Sequence, residues 1–206
     1  MKIRAGLGLF AAALLAGCSV LPESDPATLY RLPVAANQTP ASNPLLGDKR
    51  LGVAAPEAGH LFSGNRIVVY PDRNVVNVYE GARWHENAPA LIQTRLVDAL
   101  SQSGLFESVG VDRLPSDLLL VSELRHFQSE YDRTPPMARI QLDVQLVDEQ
   151  RRPIANETLT AESRAASVEI PDVVDAFGEA SDRLSAALVE WLTTLSSDAL
   201  ASASQN

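Results

Sequence analysis

Three histidines, one cysteine and a scatter of carboxylates are the side chains in this sequence that could do chemistry. His60, His85 and His126 are too far apart for the i, i+4 spacing that lets one helix face offer two imidazoles to a metal. Trp84-His85-Glu86 begins like a zinc-protease helix, but position 89, where the second histidine is required, holds proline. Gly59 and Gly64 have the glycine spacing of a phosphate-cradling loop, yet Asn65-Arg66 replaces the Lys-Ser/Thr pair that touches phosphate and magnesium. No Gly-x-Ser-x-Gly elbow occurs. Glu123 and Glu130 could pair with other carboxylates, but in so acidic a chain solvated carboxylates are the ordinary case. Asn156-Glu157-Thr158 has the form of a glycosylation acceptor. These spacings predict no catalytic residue, no resident metal and no cofactor.

Cys18 is different, because its surroundings give the thiol a use. Met1 to Arg4 is a short basic start, and Ala5 to Ala16 carries no charge. That stretch is well short of the ~20 apolar residues that span a bilayer. It has the length of the apolar region of a secretory signal. Leu15-Ala16-Gly17-Cys18 then resembles a bacterial lipobox, the site where a cysteine thiol is joined to diacylglycerol before cleavage makes that cysteine the new N-terminus. Residues 1–17 are therefore expected to be a removable lipoprotein signal and Cys18 the lipidation site. Each buried methylene contributes ~0.8 kcal/mol, so two or three acyl chains hold a protein on a membrane. Ser19, where aspartate would favour inner-membrane retention, implies the periplasmic face of the outer membrane. Residues 18–28, with Pro22 and Pro26 and no hydrophobic period, read as a lipidated tether, and residues 196–206 as a frayed Ser/Ala-rich tail.

Composition sets the remaining bounds. The 206 residues, less the leader, suit one domain, here residues 29–195. Lys and Arg total 17 against 26 Asp and Glu, a net charge of −9, and losing Lys2 and Arg4 with the leader makes it more negative. Such a surface repels phosphate backbones, so nucleic acid is not an expected partner. A single cysteine excludes internal disulfides and Cys-rich metal frameworks.

The elements that would position any site follow from periodicity. Leu29–Leu32, Arg50–Ala54, Arg66–Tyr70 and Val75–Tyr79 are short strand patterns, with Asp72-Arg73-Asn74 as a hairpin turn between the last two. From Ala88 the period changes to three and four (Leu91, Ile92, Leu96, Ala99, Leu100), and Gly104 closes that helix. Phe106–Val111 and Leu118–Phe127 are further strands. Arg139–Asp148 alternates cleanly, with Ile140, Leu142, Val144 and Leu146 on one side and Gln141, Asp143 and Gln145 on the other. That predicts a sheet covered on one face. Pro153–Val168 is a weaker strand, reached through a turn at residues 148–152. From Pro171 a long helix carries the stripe Val173, Phe177, Ala180, Leu184, Ala187, Trp191 and Leu195. The expected fold is α+β: a single domain with two main helices on one face of a largely antiparallel sheet.

Several blocks, in order, resemble the ABC-type transport auxiliary lipoprotein family of PqiC-like proteins. They are Tyr30-Arg31-Leu32 after the tether, Arg66–Tyr70, then Tyr79-Glu80-Gly81-Ala82-Arg83-Trp84 with Pro89 opening the helix, Leu96–Leu100 running into Ser103–Phe106, Glu123–Phe127, and Trp191-Leu192. His85 departs from the small residue usual after the tryptophan. The resemblance implies a non-catalytic outer-membrane lipoprotein, a partner of MCE-domain transporters that move phospholipids or other hydrophobic molecules between membranes. Tyr79, Arg83 and Trp84 are the candidate partner interface, since Trp, Tyr and Arg are enriched at binding hot spots. The alternative for that block is structural, with Trp84 in the core stapling the first helix and Arg83 paired to an acidic neighbour. A homo-oligomeric ring would match a tube by symmetry. A chaperone for an outer-membrane barrel and an envelope hydrolase are the competing functional classes.

Overall fold

The computed structural model describes residues 26–33, 39–113 and 115–195. Cys18, most of the tether and the C-terminal tail lie outside the described residues. Among the described residues nine strands precede and separate two helices: β1 (Thr28–Tyr30), β2 (Arg50–Val53), β3 (Glu57–Ala58), β4 (Arg66–Asp72), β5 (Val75–Trp84), α1 (Ala88–Ser103), β6 (Ser108–Val111), β7 (Leu118–Glu130), β8 (Met137–Asp148), β9 (Pro153–Arg164) and α2 (Ile170–Thr193).

The long strand β7 is the spine. One of its edges pairs antiparallel with β8 along its whole length, and β8 pairs antiparallel with β9. The other edge serves three short strands in tandem, all parallel to it: β2 at Leu118–Leu120, β3 at Glu123–Leu124 and β4 at Gln128–Glu130. Strand β6 extends the sheet beyond β2, and β5 then β1 extend it beyond β4. The architecture is the expected α+β domain, and its longest ladders are antiparallel. The sheet as a whole is mixed, because short strands parallel to their neighbours flank that meander. A parallel partner needs a crossover rather than a hairpin, and α1 supplies one by returning the chain to lay β6 beside β2.

Helix α2 packs on β8 and β9, over the face that presents Ile140, Leu142, Val144 and Leu146, all nearly or wholly buried, and α1 packs beside it on β2 and β6. Asn87 caps α1 by accepting a hydrogen bond from the Ala90 amide at 2.9 Å, and Gly104 ends it at φ 70°. Along α2 the buried stripe runs through Val173, Phe177, Ala180 and Leu184 as expected, then continues through Leu188 and Leu192 instead of Ala187 and Trp191, which are half-buried. A straight helix drifts against any fixed sequence register, and over a helix of 24 residues that drift changes which residue meets the sheet.

The chain before β2 is fastened between the helices. The Pro33 ring packs on Gly178, where an added Cβ would come within 2.7 Å of it. The Pro33 carbonyl accepts a hydrogen bond from Arg95 of α1.

At the opposite end, Arg50 and Asp117 clasp the starts of β2 and β7. The Arg50 amide and Nε donate to Asp117 Oδ2 at 2.8 and 3.0 Å, and Nη2 donates to Oδ1 at 2.8 Å. These bonds hold the Asp117 carboxyl well below the usual carboxylate range. A depressed folded-state pKa contributes stability above the unfolded value of about 4 that is lost as pH falls below it. Asp117→Asn is therefore expected to flatten the fall of the urea midpoint between about pH 5 and pH 2, measured as a pH series of unfolding curves.

Candidate functional site

Tyr79, Arg83 and Trp84 all lie on β5, but the structure sends them to three different places. The cause is a register break. Val68 pairs with Val78 and Arg66 with Arg83, so β5 spends three more residues than β4 between those two points. Gly81, at φ 67°, takes the turn of that bulge, a backbone conformation other residues rarely adopt. Beyond the bulge, Arg83 and Trp84 face opposite sides of the sheet, as consecutive strand residues must.

Trp84 points into the core and is 0% exposed. Its ring lies 5.6 Å from Phe127 and 5.2 Å, edge-on, from Phe177, and those two rings are 4.9 Å apart. Three apolar rings from β5, β7 and α2 therefore join sheet to helix. The Trp84 amide donates to Asn65 at 2.8 Å, while its indole Nε1 is buried with no partner among the described residues. Trp84 is thus corrected from interface to core: a side chain with no accessible surface meets no partner in this fold. Tyr79 is half-buried, and its hydroxyl sits 3.0 Å from Ser129 Oγ and 3.1 Å from Tyr131 Oη. Burial pushes its phenol pKa well above the ordinary value. Its polar end is used within the sheet, tying β5 to the end of β7. Arg83 is half-exposed and, among the described residues, has no carboxylate partner, so the acidic pairing offered as its structural role is not formed.

Where the sequence offered other chemistry, the groups are already engaged or isolated. Arg125 holds both Glu123 and Asp143 at 2.7 Å on the solvent face of the sheet. Glu130 accepts from Gln128 at 2.8 Å, and Gln128 also contacts His126 Nδ1 at 3.1 Å. His85 is exposed in the turn before α1. Among the described residues no three His, Cys, Asp or Glu side chains gather as a metal site, and no helix is long and apolar enough to cross a membrane. An open cleft of about 840 Å³ is lined by Ala55, Glu57, Arg113, Glu123, Asp143 and Thr158, among others. Ala54, Val111, Val121 and Val144 share the lining with these charged residues.

A different surface was not singled out by sequence spacing. The free end of the β4–β5 hairpin carries Val75 and Val76, 49% and 52% exposed and adjacent. Their β-branched run identifies a strand but does not say that nothing covers it.

The family of ABC-type transport auxiliary lipoprotein components matches residues 30–189. A crystal structure of a Xanthomonas campestris protein is similar over 87% of this chain and 100% of that one, with 29% identity and a TM-score of 0.74. A second crystal structure, of an uncharacterised protein, covers 82% of this chain and 99% of its own at 17% identity and a TM-score of 0.65, a likeness of fold. No curated protein sequence matches the chain.

Proposed function

This chain belongs to the family of ABC-type transport auxiliary lipoprotein components, and we propose that it is the anchored, non-catalytic docking component of an MCE-domain transport system. In that role Cys18 is acylated, residues 18–28 leash the domain to the periplasmic face of the outer membrane, and the domain engages the periplasmic transport protein. Hydrophobic cargo passes through the partner, with energy supplied by an ATPase elsewhere.

The observation that carries this reading is the extent of the family match, from β1 to the last turns of α2, which takes in nearly the whole folded core. With Trp84 in the core and Tyr79 bonded within the sheet, we assign the protein contact to the end of the β4–β5 hairpin, where Val75 and Val76 offer apolar area to bury. A ring of copies would present several such hairpins to a tube. The test is cross-linking in intact cells from a photoreactive residue at Val76, with an MCE-domain protein as the expected adduct.

A further inference from the structure

We infer that Leu29, Arg31, Arg66 and Arg83 form a seating patch that holds the β1–β5–β4 face of the domain against anionic phospholipid headgroups. The register places Leu29, Arg83 and Arg66 side by side across three strands, Leu29 opposite Arg83 and Arg83 opposite Arg66. Arg31 follows two residues after Leu29 and is exposed, as is Arg66. Leu29 is 62% exposed. Across this row the neighbouring Trp84 enters the core, so the arginine side faces away from it.

Two like charges directly opposite on an antiparallel pair destabilise a sheet. The domain carries this arrangement although its acidic residues far outnumber its basic ones. None of the three arginines forms an ion pair or a side-chain hydrogen bond among the described residues, and although Leu29 and Arg31 border a cleft that Glu86, Asp98 and Asp175 also line, none of these carboxylates pairs with Arg31. Three unneutralised guanidinium groups beside an exposed leucine complement a surface of phosphates over acyl chains: the arginines meet the phosphates and the leucine enters the interface.

Position argues for the same occupant. Strand β1 opens at Thr28, so ten residues separate the patch from Cys18, a span of roughly 35 Å at most. A tether this short keeps the patch at high effective concentration over the bilayer. The acidic remainder of the domain is repelled by the same bilayer, so this face alone settles on it. The β4–β5 hairpin begins at Arg66 and runs outward from the patch. Anchor position rests on the acylation of Cys18 proposed above, whereas headgroup recognition does not.

The experiment separates the two. The chain beginning at residue 18 with Cys18→Ser contains the whole folded core and no acyl group, so any vesicle binding is the patch's own. It is expected to float with vesicles of phosphatidylethanolamine and phosphatidylglycerol at low salt and to stay behind with phosphatidylcholine vesicles. Each arginine near an anionic surface is worth about fivefold in partitioning, so Arg31→Gln, Arg66→Gln and Arg83→Gln together should weaken flotation about a hundredfold. The matching lysine variants should retain it. Arg66→Gln alone should raise the urea midpoint while lowering flotation, because it relieves the paired charges, and a purely structural arginine would do the reverse. Equal flotation on both vesicle types, or no loss in the triple variant, would overturn the patch. Should the triple variant unfold, Arg31→Gln, which lies outside the strand pairing, must still cost about fivefold or the proposal fails.

Discussion

Trp84→Ala is expected to destabilise the domain by about 3–5 kcal/mol, the cost of emptying a large aromatic site in a core that collapses only partly around the void. The site cannot collapse easily, because Phe127 and Phe177 are held by β7 and α2 and also contact each other. A loss of this size is a large share of the roughly 5–15 kcal/mol that stabilises an ordinary domain, so much of the variant should be unfolded at growth temperature. Trp84→Phe is expected to lose much less. The indole Nε1 has no hydrogen-bond partner among the described residues, so the smaller ring gives up volume but no bond there. Urea unfolding of both variants checks this order. If Trp84→Ala left the unfolding curve unchanged, Trp84 would not be the staple described here.

Asp182→Ala is the second large effect. Arg95 is 5% exposed, and its guanidinium binds Asp182 at 2.8 Å and the Pro33 carbonyl. One cation thus joins α1, α2 and the segment leaving β1. Removing the carboxylate strands a buried charge, which costs about 3–5 kcal/mol in buried pairs. Asp182 keeps a quarter of its side chain in solvent, so about 3 kcal/mol is the expected loss. Arg95→Met should cost less than Asp182→Ala, since the carboxylate it leaves keeps a quarter of its side chain in solvent, whereas Asp182→Ala leaves a guanidinium that is 5% exposed. Urea midpoints of the two variants read out that asymmetry. Equal losses would mean that the pair stabilises by packing and not by charge.

Much of the fold was legible in the residues because its longest elements repeat cleanly. Ile140, Leu142, Val144 and Leu146 alternate with polar neighbours, and the structure buries them on the face that α2 covers. Gly104 and Pro89 mark the ends of α1 as a C-cap glycine and a first-turn proline do, whereas the capping role of Asn87 was not read. The two turns lie where expected but are shorter, at Arg73–Asn74 and Glu149–Arg152, because Asp72 and Asp148 still pair as the last residues of β4 and β8. Strand β3 was not legible, because two residues, Glu57 and Ala58, carry no period. Nor was the parallel pairing of β2, β4 and β6, which depends on where a crossover returns rather than on any local pattern.

The candidate site was read least well, and the reason is local. In a sequence, Tyr79, Arg83 and Trp84 look like one block. The signal against that reading was Gly81, since a glycine inside a strand pattern often marks a bulge. The bulge sends Trp84 inward and turns Arg83 out. The opposition of Arg66 and Arg83 had no sequence signal, because it follows from a register that the bulge itself sets.

Each part of the domain thus has its own role. On the reading proposed above, a basic face sits toward lipid and a hairpin end meets protein. Photo-cross-linking from Val76 in intact cells, with the adduct identified by mass spectrometry, measures the docking role most directly. A covalent adduct with an MCE-domain periplasmic protein is the expected result. An adduct confined to an outer-membrane barrel precursor, or none at all from a folded and membrane-anchored chain, would contradict that role.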